Sequence, residues 1–194
     1  MITRRLLMAG LATLALAACE TPVTVQRFPG ITFAHLPALG LNVGRVEIVS
    51  SVQPTMQAVQ AASQFPVPPD KAMRRWAEDR LVAKGVTNVA RFTIVDASVT
   101  ETPLAIEGGV AGVFKKEQSV RYEATVAGMI EVIDDQGFRR AFASSRVGRS
   151  KTLREDASLN ERDRLRFDLI EALMKDFNTE MEQDIRTHLG AFAM

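Results

Sequence analysis

The strongest constraint on the fold is a long alternating segment, 120–133, followed by a turn and a second extended segment. Apolar residues occupy nearly every other position of 120–133, with arginine, glutamate and threonine between them, which is typical of a strand with one buried face. The sequence Asp-Asp-Gln-Gly at 134–137 then predicts a hairpin turn, and 138–151 is predicted to be the returning strand. A strand of this length spans about 45 Å.

A long helix of matching length is predicted after the hairpin. Ser158 and Glu161 have the spacing of a capping box, and apolar residues recur at helical spacing to about position 188. A helix over 159–188 also spans about 45 Å. Because the hairpin and the helix each have one apolar face, they can bury those faces against each other. The mixed charges of 161–171, with Arg166 among them, are expected to form a solvated helix face.

The remaining predicted elements complete an α+β domain. Strands are predicted at 41–50 and 90–100, with a helix at 70–84 between them and Asp70 as its N-cap. The proline-containing segment 52–69 is predicted to be mainly a loop, with one short helix around 56–62 as an open alternative. The predicted fold is therefore α+β: an elongated antiparallel sheet of about four strands, in the order β-α-β-β-β-α, with two helices packed on one face.

The amino terminus has the pattern of a bacterial lipoprotein signal. Two adjacent arginines precede an apolar run, 6–18, that is about 20 Å long as a helix and therefore too short to span a membrane comfortably. The run ends in the lipobox sequence Leu16-Ala17-Ala18-Cys19, in which the small residues suit signal peptidase and the thiol of Cys19 receives the diacylglycerol. The alternative is an ordinary secretory signal cut after Ala18, and the arginine pair leaves twin-arginine export open.

This signal divides the chain into a signal peptide, 1–18, a lipidated N-terminus and tether, 19–40, and a single α+β periplasmic domain, 41–190. Cys19 is the only cysteine, so once it is acylated no thiol remains for a disulfide. Glu20 follows it, whereas an aspartate at that position favours retention in the inner membrane of enteric bacteria. We therefore expect an outer-membrane anchor facing the periplasm, with the outer leaflet of the inner membrane as the alternative.

The charge balance argues against a nucleic-acid partner. Of the 24 basic residues, Arg4 and Arg5 lie in the signal, which leaves 22 against 23 acidic residues. A net charge this close to zero does not predict binding to nucleic acid. No second apolar run approaches 18 residues, so we expect the protein to be anchored to a membrane without spanning it.

The sequence contains no recognisable catalytic or metal-binding constellation. His35 and His188 are the two histidines, too few for a histidine cluster, and they lie in the tether and at the end of the last helix. The glycine-rich connection 104–119 lacks the Gly-Lys-Ser/Thr element of a phosphate loop. Asp134 and Asp135 are adjacent, but they lie in a turn that favours aspartate. We expect no catalytic residue, no metal, no cofactor and no enzymatic activity.

Basic residues on the fourth strand are the one candidate ligand-binding feature. Arg139, Arg140, Arg146 and Arg149 could contact the phosphates of lipid A or of phospholipid head groups. The alternative interpretations are a solvated face, or an edge strand whose charges prevent aggregation.

In its order of elements the chain resembles small envelope lipoproteins of Gram-negative bacteria: the lipopolysaccharide (LPS) assembly lipoprotein and the auxiliary lipoproteins of ABC-type lipid transport systems. The lipobox ending in Cys19, the hairpin 120–149 and the helix from Ser158 carry this resemblance. It implies a non-enzymatic lipoprotein, anchored by acyl chains on Cys19, that supports an outer-membrane assembly or lipid or LPS transport complex. The implied partner is a barrel or an ABC-type transporter component. The alternative function is a lipid or LPS head-group binding module that acts through the basic strand.

Overall fold

The structure is a computed structural model that describes residues 27–105 and 118–194. It contains six strands and three helices within these ranges. In chain order they are β1 (Leu39–Leu41), β2 (Arg45–Ser50), α1 (Met56–Ser63), α2 (Pro69–Arg80), β3 (Leu81–Ala83), β4 (Val89–Pro103), β5 (Gln118–Ile133), β6 (Arg139–Arg154) and α3 (Leu159–His188).

The main sheet has four strands in the order β2-β4-β5-β6, which confirms the predicted α+β class and strand number. The long hairpin is present: β5 pairs antiparallel with β6, and β4 pairs antiparallel with β5. The prediction of a wholly antiparallel sheet is wrong at one edge, because β2 runs parallel to β4. The chain crosses from β2 to β4 through two helices, and a crossover of that length brings two strands into parallel pairing.

The region before β4 differs from the prediction at both ends of α2. This helix begins at Pro69 with Pro68 as its N-cap residue, so Asp70 lies in the first turn and is not the cap. Proline is favoured at this first position because its missing N–H would have no intrahelical partner. The helix ends at Arg80, and the next three residues form β3, which pairs with β1 in a separate two-stranded sheet.

The segment predicted mainly as a loop contains one helix, α1, at almost the residues left open for a short helix, 56–62. Its N-cap is Thr55, whose hydroxyl accepts a hydrogen bond from the N–H of Ala58. None of its residues is fully buried. The prolines of this segment flank the helix without interrupting it, which is why their number alone was a poor guide to its structure.

The core lies between the sheet and the long helices α2 and α3. Its centre is an aromatic cluster in which the ring centroid of Trp76 lies 5.3 Å from that of Phe92 and 5.1 Å from that of Phe177. The buried indole N–H of Trp76 donates to Oδ1 of Asn178 at 2.9 Å, so this polar group does not remain unsatisfied. The cluster therefore joins α2, β4 and α3.

Gly128 of β5 is required by this aromatic cluster. A Cβ atom at that position would lie 2.7 Å from Cε2 of Phe92 and 3.0 Å from Cζ of Phe177, closer than such contacts normally occur. We expect Gly128→Ala to lower the free energy of unfolding by about 1–3 kcal/mol, because the rings must move to accept the methyl group. Chemical denaturation followed by the fluorescence of Trp76 measures this change.

Gly148 of β6 is the matched control for that substitution. A Cβ atom there would lie 3.5 Å from the Thr125 hydroxyl oxygen, an ordinary contact. Gly148→Ala is expected to leave stability unchanged or to raise it by about 0.4–1 kcal/mol, since alanine restricts the unfolded chain. Equal losses in the two variants would contradict the packing argument.

Candidate functional site

The residues of the predicted lipobox, Leu16, Ala17, Ala18 and Cys19, lie outside the described residues. The described chain begins eight positions after Cys19, and from Phe28 onwards it is in contact with the domain. The ring of Phe28 stacks on that of Phe167, with their centroids 5.1 Å apart. Ile31 and Phe33 are buried in the core.

Each of the four arginines predicted to contact anionic lipid is paired with a carboxylate. The guanidinium groups lie 3.1, 3.7, 2.6 and 3.0 Å from their acidic partners, in the order Arg139–Glu131, Arg140–Asp134, Arg146–Asp96 and Arg149–Asp176. The hydrogen bond to Asp176 raises the pKa of Arg149. The strand is thus rich in arginine without being a free cationic surface.

These four arginines are not brought together into one site. Arg149 extends towards α3, whereas Arg146 reaches Asp96 on the opposite face of the sheet. Along the strand, Arg139 and Arg149 are separated by about 34 Å at 3.4 Å per residue. No single head group could therefore contact all four.

Neutralising the two arginines at the start of β6 tests whether they bind lipid. We expect the double variant Arg139→Gln and Arg140→Gln to keep its affinity for vesicles of phosphatidylglycerol within about twofold, because these guanidinium groups are held by Glu131 and Asp134 and are not expected to contact head groups. A residue that contacted the anionic surface would contribute about 1 kcal/mol, or roughly fivefold in affinity. Sedimentation with vesicles measures the affinity.

The control for this variant removes two other positive charges. Lys71 and Arg74 are exposed on α2, so Lys71→Gln with Arg74→Gln changes the net charge equally at a different place. A loss of about 25-fold in the β6 variant, with none in the control, would support the head-group hypothesis and contradict our expectation.

The sheet face opposite the helices carries both ion pairs and apolar side chains. Phe142 is 48% exposed and Val49 is 39% exposed on this face. The guanidinium of Arg139 lies 4.8 Å from the centre of the Phe142 ring. Hydrogen bonds from Arg45 and Arg91 lower the pKa of Glu47, which lies in the same row of the sheet as Phe142. Such a mixed surface suits contact with a protein partner.

A cleft that the sequence did not predict lies beside β4. β2 ends at Ser50, but β4 continues to Pro103, and α1 lies beside this longer part of the strand. The space between them has a volume of about 790 Å³. Its wall includes apolar Val52, Val59 and Phe65 together with polar Asp96 and Ser98. The two strands were predicted at nearly equal lengths, 41–50 and 90–100, so the sequence pattern did not indicate this cleft.

Arg166 holds one wall of this cleft against the sheet. Its guanidinium donates to the backbone carbonyl of Gln64 at 3.2 Å, to the Gln64 side chain at 2.7 Å and to the Tyr122 hydroxyl at 2.9 Å. It also lies 5.7 Å from the centre of the Phe65 ring. Arg166 is only 6% exposed, so the prediction that it belongs to a solvated helix face is wrong. These contacts hold the end of α1 against the sheet, so we assign Arg166 a structural role.

The described residues contain neither a candidate metal site nor a candidate membrane span. Within 27–105 and 118–194, no three histidine, cysteine, aspartate or glutamate side chains are grouped so that they could hold a metal ion. No helix in these same ranges is both long enough and apolar enough to cross a membrane.

Comparisons with known proteins found distant structural similarity. No protein-family model matches the sequence, and no curated protein matches it significantly. The chain is similar to the crystal structure of a minor lipoprotein from Acinetobacter baumannii, with 9% identity and a TM-score of 0.37 over 79% of this chain and 98% of that one. It is also similar to a dodecameric PelC variant from Paraburkholderia phytofirmans, with 17% identity and a TM-score of 0.21 over 71% and 88% of the chains. TM-scores this low carry no argument about function.

Proposed function

We propose that the protein is a non-enzymatic periplasmic lipoprotein, anchored by Cys19, that supports an outer-membrane assembly or a lipid or LPS transport complex. The observation that carries the proposal is the lipobox at 16–19 followed so closely by a domain that is packed from Phe28 onwards. A domain attached by so short a connection stays at the membrane surface, where envelope complexes are located.

The exposed face of the sheet supports a protein partner for this anchored domain. Phe142 and Val49 present apolar surface, and the ion pairs around them provide directional contacts. Mixed surfaces of this kind are common at interfaces between proteins that also exist separately. The alternative, a head-group binding module, is less well supported because Arg139, Arg140, Arg146 and Arg149 are each paired with an acid.

Isolation of the acylated protein from its own envelope tests this proposal. Cells are crosslinked, membranes are extracted with mild detergent, and the protein is purified through a carboxyl-terminal tag. Metabolic labelling with palmitate reports acylation separately. We expect label on Cys19 and a stable crosslinked complex with an outer-membrane barrel or an ABC-type transporter component.

The double substitution Val49→Asp and Phe142→Asp is the matched variant, since both side chains lie on the exposed face and outside the core. It should remain acylated and folded but lose most of the crosslinked partner. Recovery of an acylated monomer alone from wild-type cells would contradict the proposed role in a complex. Absence of palmitate label would contradict the anchor itself.

A further inference from the structure

The segment that precedes β1 runs along the domain in the same direction as α3. At its start, Phe28 stacks on Phe167 in the first third of that helix. At its end, the carbonyl of Pro37 accepts a hydrogen bond from Arg80, whose guanidinium also binds Glu182 near the end of α3. Followed backwards from Pro37 to Phe28, the chain therefore heads towards the amino-terminal end of α3.

This segment is fixed to the domain between those two points. The hydroxyl of Thr32 and the N–H of Phe33 donate to the same oxygen of Asp79 at 2.6 and 2.7 Å. Burial alone would raise the pKa of Asp79, but these hydrogen bonds and the nearby Arg75 lower it, so the carboxylate remains charged. The chain is therefore attached to the domain from Phe28 onwards, and only the residues between Cys19 and Phe28 can act as a tether.

The length of chain between Cys19 and Phe28 limits how the domain can be placed. Nine Cα–Cα steps separate the two residues, so their Cα atoms lie at most about 32 Å apart. Along α3, Phe167 is about 12 Å from Leu159 and about 32 Å from His188 at 1.5 Å per residue. If the His188 end of α3 faced the membrane, the connection would have to be fully extended just to cover the distance from Phe28 to that end.

We infer that the end of the domain that carries Leu159 faces the phospholipid surface to which Cys19 is anchored. We call this the proximal end, and we define it by Arg154 at the end of β6 together with the first two turns of α3. The inference rests on the proposed acylation of Cys19. The side chain of Leu159 is 74% exposed, and Arg164 is exposed on the next turn. An apolar side chain with a nearby cation suits a lipid interface.

The opposite end is held away from the lipid. β6 and α3 run antiparallel, since Arg154 pairs with Glu161 whereas Ser145 hydrogen-bonds Asp184. Arg139 therefore lies beyond the level of Asp184, about 50 Å along the strand from Arg154. This distal end also carries Phe138 and Val86, which are exposed. It is the end available to a partner in the periplasm.

Photocrosslinking to lipid tests the orientation with a chemically defined anchor. The chain from Cys19 onwards contains every described residue, and its single thiol is coupled to a maleimide lipid in phosphatidylcholine vesicles. These vesicles also contain phosphatidylcholine with a diazirine in its head group, and labelled peptides are mapped by mass spectrometry. Peptides that contain Leu159 and Arg164 should carry at least about tenfold more label than those that contain Val86 and Phe138, because the distal end cannot reach the head groups.

Two controls make this outcome decisive. Cys19→Ser cannot be coupled and should lose the label throughout. A spacer of about twenty glycine and serine residues after Glu20 adds roughly 70 Å of reach and should abolish the contrast between the two ends. Equal labelling of both ends without the spacer, or stronger labelling at Val86 and Phe138, would overturn the inference. Because the anchor is chemical, this result does not depend on whether cells acylate Cys19, which the palmitate experiment decides.

Discussion

Replacing Cys19 with serine is expected to move the protein from the membrane fraction to the soluble fraction without changing the stability of its domain. A single myristoyl chain binds a bilayer only reversibly, with an association constant of about 10⁴ M⁻¹, whereas two or three chains anchor a protein firmly. A serine hydroxyl is not a substrate for thioether formation, so all of this affinity is lost together. Fractionation by ultracentrifugation and metabolic palmitate labelling measure the effect.

The same substitution should not change the stability of the domain. Every buried core residue in the described ranges follows Phe28, so Cys19→Ser should leave the midpoint of chemical denaturation unchanged. Thr21→Ser is the matched control, since it changes a neighbouring residue and leaves the lipobox intact. A Cys19→Ser protein that sediments with membranes as the control does would contradict the acyl anchor, and one that complements a deletion fully would contradict the need for it.

The parts of the fold that could be predicted from the sequence are those in which local patterns and burial agree. Alternation over 120–133 identified β5, which spans Gln118–Ile133, and the capping box at Ser158 identified the start of α3. In both cases one face packs on the core along most of the element, from Tyr122 onwards in β5 and from Arg166 to Ile185 in α3. The periodicity therefore reflects the tertiary structure directly.

The parts that were missed depend on contacts between distant residues. The parallel pairing of β2 with β4 results from the crossover connection, and the residue pattern of the two strands does not indicate their relative direction. Arg166 was predicted to face solvent, and no prediction was made for Arg80, because hydropathy cannot anticipate their partners. Tyr122 is 44 residues from Arg166, and Glu182 is 102 residues from Arg80.

In the candidate site, too, local sequence features could be predicted and contacts between distant residues could not. A cluster of arginines is visible in the sequence of β6, but the acids that neutralise them come from β4, β5, the hairpin turn and α3. The lipobox stays a prediction from the linear sequence that signal peptidase reads, and it lies outside the described residues. The inferred orientation of the domain at the membrane depends on the contact between Phe28 and Phe167. These residues are 139 positions apart, so the sequence alone could not indicate it.

Glu182→Ala is expected to be among the most destabilising single changes on the surface of α3. Arg80 is 1% exposed; burial lowers its pKa, and the carboxylate of Glu182 opposes that effect. Without Glu182 the Arg80 guanidinium keeps its hydrogen bond to the carbonyl of Pro37. The Nε of Arg80 has no hydrogen-bond partner among the described residues. A buried charge that loses its partner costs about 3–5 kcal/mol, and water can reach the half-buried site of Glu182, which favours the lower end.

A loss of about 3 kcal/mol corresponds to a fall in Tm of roughly 6–12 °C for a domain of this size. Glu180→Ala is the matched control, because Glu180 is exposed on the same helix and its removal should change the free energy of unfolding by less than about 0.5 kcal/mol. Thermal unfolding followed by circular dichroism measures both variants. A loss below about 1 kcal/mol in Glu182→Ala would contradict the argument.

The double variant Arg80→Met and Glu182→Ala separates an unpaired charge from lost packing. If the unpaired guanidinium is the cause, removing it should recover part of the stability that Glu182→Ala loses, since an apolar side chain needs no counter-charge. Additive losses would instead indicate that Arg80 matters through its packing. The double variant also loses the Arg80–Pro37 hydrogen bond, which Glu182→Ala keeps. Hydrogen exchange at residues 33–41 should therefore be faster in the double variant than in Glu182→Ala, while the aromatic cluster around Trp76 remains protected in both.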